Sequence, residues 1–527
     1  MKRLTAVLAI VTAQIACAPN QASQAPPQPA STTPADATAS AVAPWPEEDY
    51  RQRRPTPRPV KDFVFPSVQR FTLDNGIDVF LVKQDKLPTV QLTFQFNEGT
   101  AGDPRSKSGM AAVCMDLLSE GTQSLEKIAF EEQQADIATA ISSTARLETR
   151  SISARTLKAQ LGPTLDLVAE MLREPGLRQE DLNRIVEARV ASLLQRKSNP
   201  SEIARRLFST LIWGEKHPYG HIETQKSLEA IKLSDCKKHI RQLGPNGAKL
   251  WVVGMTSQDE LRKELDSRLS FWKGKAPSAK NVRPAKKANG KIHFVHVDGA
   301  VQSMIMIGHP GPRRDADDFE ATKLMAKILG GSFSSRINMN LREDKGYSYG
   351  GRGGFRYRKG GSHLFASSSV ETSTTALALR EVAKEIAGMR ATQPTKEELH
   401  REQEGALLAL PALFSTATKT LSAFMRVDRF GFPLDYYAGH QARVRAVDAQ
   451  AVHTAATGHL SQDTFVVLVV GDALAQAKGS HKTVLEEVQA LADEGLFGKG
   501  GLVHLDADGM PTKRPPSGSP RPGKPSK

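Results

Sequence analysis

The first 216 residues contain no histidine; His217 is the first of thirteen in a chain of 527. A long amino-terminal stretch therefore lacks the side chain that most often serves as a neutral metal ligand and as a proton carrier near pH 7. Cysteine is nearly as scarce, with three residues at 17, 114 and 236, so no cysteine-rich framework of disulfides or zinc is present. Cys114 lies in an apolar helical run and Cys236 near a helix start. Each reads as a small core or cap-region residue and not as half of a disulfide. The apolar run from Leu4 to Ile15 is too short to span a bilayer. A spread of 40 glycines and 31 prolines among ordinary apolar content excludes a fibre or a membrane bundle and fits a globular protein with irregular ends.

The net charge of +14 invites a nucleic-acid reading until the charges are located. Thirteen of the fourteen fall in three segments: Lys2 with Arg3, residues 271–291 with seven basic residues and no acid, and residues 499–527 with six basic against two acidic. The body between them is close to neutral. No nucleic-acid partner is expected.

Residues 1–17 have the layout of an export signal, with Lys2 and Arg3, the apolar run, then Ile15-Ala16-Cys17. Cleavage within Ala16-Cys17-Ala18 would leave Pro19 just past the cut, a poor substrate for ordinary signal peptidase. Cleavage before Cys17 fits lipoprotein maturation, although Gln14 stands where such signals usually carry leucine. The preferred expectation is a lipidated Cys17 and a periplasm-facing lipoprotein of the bacterial cell envelope, its only membrane contact the lipid. Ala18 lacks the acidic character associated with inner-membrane retention, which favours the outer membrane; soluble secretion is the alternative. Residues 18–61, rich in Ala, Pro, Ser, Thr and Gln, read as a disordered tether, and residues 499–527 as a disordered tail.

Between these ends the sequence repeats. Glu180-Asp181-Leu182 and Glu397-Glu398-Leu399 each open a helical pattern, and strands end at Gly254 and at Gly471; both pairs are 217 positions apart. A constant offset predicts two homologous domains, 62–275 and 291–498, joined by a basic linker at 276–290. In each half strands come first. Phe71–Leu73 and Ile77–Val82 flank Asn75-Gly76, which suits a type I′ hairpin turn, and Gln91 to Phe96 alternates with Leu92, Phe94 and Phe96 on one face. Phe294, His296 and Met304–Ile307 match them in the second half. Helices are predicted at 109–118, 156–172, 180–195, 318–329 and 374–389. The fold class is α+β, two αβ sandwich domains, each a mainly antiparallel sheet with helices packed on one side.

The segment from Leu329 to Gly350 carries Gly330-Gly331, Phe333-x-Ser335-Arg336 and Leu341-Arg342-Glu343-x-x-Gly346-x-x-Tyr349. It resembles the second-domain signature of the pitrilysin/insulinase metallopeptidases. That family binds zinc in its first domain through His-x-x-Glu-His. Counted back from Gly121-Thr122, the matching positions here are Ala112, Val113, Cys114, Met115 and Asp116. Two imidazoles one helical turn apart would grip one ion, with the glutamate as base for its water. Ala112 offers no ligand and Met115 no base, and Asp116 alone does not make a zinc site. The family's third ligand, a glutamate, would fall near Ala191-Ser192; Glu187, one turn away, reads as solvated or helix-packing. His217 and His221 share a helical spacing, but Pro218 between them marks a loop and favours packing, His293 and His296 face opposite ways on a strand, and His453 and His459 diverge on a helix. No metal or other cofactor is expected on this chain.

The resemblance implies that Arg342 and Tyr349 reach across a cleft to a substrate carbonyl, where a guanidinium and a phenol can both donate to a growing oxyanion. Tyr347, two residues earlier, is a neighbour or substitute on the same strand face. Gly330 and Gly331 are expected to end the preceding helix with positive φ, and Phe333 to anchor the turn. The family includes paired bacterial subunits, one with the zinc motif and one with only the Arg/Tyr motif, that close as a clamshell. The expectation is a subunit inactive alone, whose partner is a zinc-bearing homologous subunit and whose substrates are unfolded peptides. The alternatives are a non-catalytic scaffold or peptide-binding lipoprotein, and a self-sufficient hydrolase with an unfamiliar site.

Overall fold

In the computed structural model, residues 63–278, 282–461 and 463–513 are described. The export signal with Cys17, the tether, linker residues 279–281 and the last part of the expected tail lie outside them.

Twelve strands form two six-stranded sheets. The first is built from β1 (Gln69–Thr72), β2 (Asp78–Lys83), β3 (Thr89–Asn97), β4 (Ala140–Ala145), β5 (Thr149–Leu157) and β6 (Lys249–Gly254). The second contains β7 (Lys291–His296), β8 (Gln302–Gly311), β9 (Ser348–Arg358), β10 (Gly361–Glu371), β11 (Val466–Gly471) and β12 (Leu502–Leu505). Their spatial orders are β1-β2-β6-β3-β5-β4 and β12-β7-β11-β8-β10-β9, and the five strands after the outer one follow the same order in both. In both, one inner pair is parallel, β2 with β6 and β7 with β11, and the partners across β3 and β8 are antiparallel. The fold is α+β, as the succession of strands and helices in each half implies.

Two expectations about the ends of the sheets need correcting. Residues 502–505 are not part of a disordered tail: β12 pairs in parallel with β7 and becomes the outer strand of the second sheet, where β1 lies in the first. Asp508 beyond it ties back to Lys197 at 2.7 Å and to Arg206 at 2.8 Å. Four strand residues set among glycines and lysines carry too little periodicity to reveal a strand. The Asn75-Gly76 turn is also not type I′, because only Gly76 has positive φ (89°). The Gly76 N–H closes a turn on the Leu73 carbonyl at 2.9 Å, leaving a left-handed glycine before β2. The helix expected from Thr156 starts at Leu161, because Thr156 and Leu157 finish β5 in register with Val90 and Thr89.

Leu92, Phe94 and Phe96 are fully buried against the helices of their own half. The opposite face of each sheet is covered from the other half. Helix Pro200–Trp213 lays Ile203, Leu207, Phe208 and Ile212 on Val295, Met304, Met306, Val466, Leu468 and Val470 of the second sheet. Helix Ala417–Arg429 lays Leu421, Phe424 and Val427 on Phe80, Val82, Trp251 and Val253 of the first. The exchange explains why β6 and β11 are apolar on both faces. Both helices open on a side-chain cap at the repeat offset: Asn199 accepts from the Ser201 and Glu202 N–H groups, Thr416 from that of Lys419.

The halves also meet where the β4–β5 and β9–β10 hairpins turn. The Glu148 carboxylate accepts the Lys359 N–H at 2.9 Å, the Tyr219 hydroxyl and the Arg429 guanidinium. Burial, then Glu148 itself, pushes the Tyr219 phenol far above its ordinary range, so it remains a donor. His217 belongs to the same joint: its Nδ1 accepts the Tyr219 N–H at 3.0 Å and its Nε2 lies 2.8 Å from the Arg283 carbonyl.

Candidate functional site

The helix Met110–Leu118 starts on Gly109, whose φ of 97° is left-handed. Asp103 accepts the N–H groups of Gly109 and Ala111, both at 3.0 Å, and so fixes the start of the helix. Burial raises the Asp103 carboxyl to about 7 against the pull of those donors. Beside it Arg150 is 1% exposed and donates to His239 Nε2 at 3.1 Å and to the Asn97 carbonyl at 3.3 Å. Burial and then the Arg150 charge lower His239 to about 3, which keeps its ring neutral and accepting.

Ala112, Met115 and Asp116 sit on this helix as the sequence comparison with His-x-x-Glu-His places them, and the residues do not fit a zinc ion. Ala112 has no donor atom. Met115 is fully buried in the first core. Asp116 is held by Arg189, whose Nη2 and Nε lie 2.6 and 3.2 Å from one carboxylate oxygen, and Arg189 reaches Glu223 at 3.3 Å with its other nitrogen. The cation between these two carboxylates is a guanidinium of their own chain. Arg189 comes from helix Gln179–Arg196, the helix on which the third zinc ligand was sought. Glu187 is exposed there. Sequence reasoning stopped at Ala191-Ser192 and missed Arg189, because it looked for a ligand and not for the ligand's electrostatic replacement.

Cys114, between Ala112 and Met115, overturns the expectation of two unpaired cysteines. It is bonded to Cys236 of helix Leu233–Arg241, with 4.8 Å between the Cα atoms and a sequence separation of 122. The two helices pack directly, and both cysteines have 0% exposure. An apolar neighbourhood gave no sign of the pairing, because the contact is entirely tertiary.

The second-half segment keeps its form by backbone and polar locks. Helix Phe319–Ala326 runs into a π-helical turn at Lys327–Gly331, and a second such turn covers Met339–Asp344. Neither Gly330 nor Gly331 has positive φ, contrary to expectation. Gly330 is required for closeness instead: a Cβ there would lie 2.6 Å from the Gly353 nitrogen on β9. Arg336 grips Glu398 with two hydrogen bonds of 2.8 Å. Asn338 donates to the Phe333 carbonyl at 2.6 Å and accepts the Gly351 N–H at 3.0 Å, tying the turn to β9.

On this frame Arg342 is exposed, 3.1 Å from Glu343, with its guanidinium 4.9 Å from the centre of the Phe333 ring. Phe333 does not anchor the turn; it is 66% exposed and lends Arg342 an aromatic face. Tyr349 is 89% exposed at the start of β9, the edge strand of its sheet. Tyr347 does not share its face. It precedes β9, leans on the second core and has Lys478 at 5.8 Å over its ring. The structure thus joins Arg342 to Phe333 and separates Tyr347 from Tyr349 by burial.

His293, His453 and His459 are engaged with the backbone or with a carboxylate. His293 Nδ1 lies 3.1 Å from the Val467 carbonyl, and burial lowers its pKa to about 4. His453 Nε2 lies 2.8 Å from the Arg390 carbonyl, and His459 Nε2 lies 2.5 Å from Asp318. Among the described residues His296, Asp298 and Asp472 come close together, but His296 accepts the Ala473 N–H and Asp472 accepts those of Gly299 and Leu474. These bonds close loops.

A family model for insulinase, peptidase family M16, matches residues 79–219, and one for the peptidase M16 inactive domain matches residues 233–406. The chain belongs to the M16 peptidase family. Among its relatives, the non-peptidase homolog YmxG of Helicobacter pylori (strain ATCC 700392 / 26695) is 23% identical over 367 residues, covering 68% of this chain and 84% of YmxG. The zinc protease PqqE of the same organism is 23% identical over 289 residues, 53% of this chain and 65% of PqqE. A crystal structure of a peptidase M16 inactive domain from Pseudomonas fluorescens matches with a TM-score of 0.71 at 22% identity, over 78% of this chain and 99% of that one. That last likeness is one of fold. This M16 chain therefore combines a peptidase-like architecture with a first-domain helix that has lost the zinc-binding residue types.

Proposed function

We propose that this chain is the non-zinc subunit of an envelope M16 peptidase, inactive alone, which lends Arg342 and Tyr349 to the active site of a zinc-bearing homologous subunit that hydrolyses unfolded peptides. The observation that carries the reading is the contrast between the two halves. The first-domain helix has exchanged its chemistry for a buried methionine, a disulfide and an arginine-held aspartate. The Arg342 segment is exposed yet braced by Arg336, Asn338 and the Gly330–Gly353 contact, an arrangement that pre-positions donors for a partner. The names of the Helicobacter pylori relatives, one a non-peptidase homolog and one a zinc protease, are in keeping with such a pair.

The test is reconstitution. The isolated chain is expected to carry no stoichiometric zinc and to cleave no fluorogenic peptide, and to produce activity only when mixed with a His-x-x-Glu-His family member from the same organism. One tightly held zinc per chain, with activity lost on chelation, would refute this and promote the self-sufficient hydrolase. A second reading, a scaffold or peptide-binding protein, draws on the Arg342–Glu343 pair, which occupies the guanidinium within its own chain.

The proposed address is the periplasmic side of the cell envelope, with the outer membrane favoured. A buried disulfide suits an oxidising compartment, and among the described residues no single helix is long and apolar enough to cross a membrane. Attachment would then rest on lipidation of Cys17. Replacing it, Cys17→Ser, is expected to move the protein from the membrane fraction to the soluble one and to abolish acyl labelling. An unchanged distribution would favour the secreted form.

A further inference from the structure

A concentrated basic pocket lies in the second half, apart from the Arg342 segment. Arg313, Arg314 and Asp315 after β8, Arg358 and Lys359 at the β9–β10 turn, and Arg429 and Phe430 at the end of helix Ala417–Arg429 line a cavity of about 180 Å³. Its walls hold five cationic side chains and one carboxylate. That carboxylate is already committed, since Asp315 takes two 2.9 Å hydrogen bonds from Arg313. Arg314 donates to the Tyr436 hydroxyl at 2.8 Å and lies against the Phe319 and Phe432 rings, and Arg429 gives one nitrogen to Glu148.

Two features point to a ligand. The Nε–H groups of Arg358 and Arg429 are buried with no acceptor among the described residues, a state that native proteins seldom leave without an ion or water to meet it. Like charges are also crowded where burial already disfavours them: Arg358 and Lys359 are both held below their usual pKa ranges, by desolvation first and by neighbouring cations against the pull of Glu148. An anion would relieve both conditions.

We propose that this pocket binds a phosphoryl group, either inorganic phosphate or the end of a phosphate monoester. A carboxylate is planar and is satisfied by one forked guanidinium, as Asp315 shows with Arg313. Cations converging from three separate elements suit a tetrahedral, multiply charged oxyanion instead. The volume agrees, being well under the roughly 300 Å³ at which pockets for drug-sized molecules begin. This assignment does not rest on the peptidase reading.

Calorimetric titration of the purified full chain at pH 7.5 and fixed ionic strength tests it, with inorganic phosphate, glycerol 3-phosphate and acetate as probes and phosphatidic acid vesicles as a fourth arm. Saturable one-site binding of phosphate is expected, with tighter binding of glycerol 3-phosphate marking an ester as the natural source and tighter binding of the vesicles marking a lipid headgroup. Arg358→Gln should weaken phosphate at least about tenfold, equivalent to about 1.4 kcal/mol. Arg352→Gln, an exposed arginine of β9 outside the lining, should leave it unchanged. Lys359→Gln provides a second variant if the buried Arg358 change disturbs folding, which circular dichroism reports. The proposal is overturned by acetate binding as well as phosphate, by no saturation up to about 10 mM phosphate, or by equal affinity in the folded Arg358 or Lys359 variant and in Arg352→Gln.

Discussion

Tyr349→Phe, assayed in a complex reconstituted with a zinc-bearing M16 subunit, is expected to lower kcat by about two to three powers of ten while KM moves little, and Arg342→Ala to do the same. Both side chains would be asked to donate to an oxyanion that exists only as water attacks, so their loss falls on the transition state and spares substrate binding. Nothing in the free chain prevents them from doing so. Tyr349 stands almost wholly in solvent, and Arg342 would give up only an exposed pair with Glu343, an interaction worth roughly 0–1 kcal/mol. Tyr347→Phe is the control for register, because Tyr347 packs on the core and should leave turnover unchanged. The complex should assemble in each variant and keep its zinc, which belongs to the other subunit. If Arg342→Ala and Tyr349→Phe both turn over within about threefold of the parent, well under 1 kcal/mol, the pair is structural and the scaffold reading takes its place.

The second large effect concerns the degenerate helix. Replacing Cys114 and Cys236 together by alanine should destabilise the first half by an amount on the order of 5 kcal/mol, since the bridge closes a loop of 122 residues and the unfolded chain regains that freedom. Urea unfolding followed under oxidising and reducing conditions measures it. The midpoint of the parent should fall on reduction, and its denaturant slope should rise as the unfolded state expands. The double variant should be indifferent to reductant. Midpoints that coincide in all four samples would show that the bridge contributes nothing.

Much of the architecture was legible because it is written twice. The 217-residue offset placed strand ends at Gly254 and Gly471 and helix starts at Glu180 and Glu397, and the structure repeats sheet order and helix caps at that spacing. Local chemistry was legible too: the helix at 110–118 forms where its apolar run lies. What escaped was whatever depends on two distant segments meeting. Cys114 finds Cys236, Arg189 finds Asp116, and Gly330 approaches Gly353, and none of these has a signature within its own stretch of chain. Strand β12 escaped for another reason. Its four residues gain their meaning from the exposed edge of β7 and have almost none by themselves.

The reciprocal covering of the sheets bears on whether the two halves can be separated. Helix Pro200–Trp213 lies on the far sheet and helix Ala417–Arg429, its counterpart at the same offset, lies on the near one. Mutual exchange of equivalent elements is the mark of a twofold-symmetric dimer, in which whatever one copy gives it also receives. Either half alone would leave one apolar sheet face and the apolar stripe of its exchanged helix bare. Covalent linkage keeps each half within reach of the other, while the two carry different chemistry, a disulfide and an arginine-held aspartate in one and an exposed arginine and tyrosine in the other. The two halves are thus each other's missing layer, and neither is expected to stay folded in water without the other.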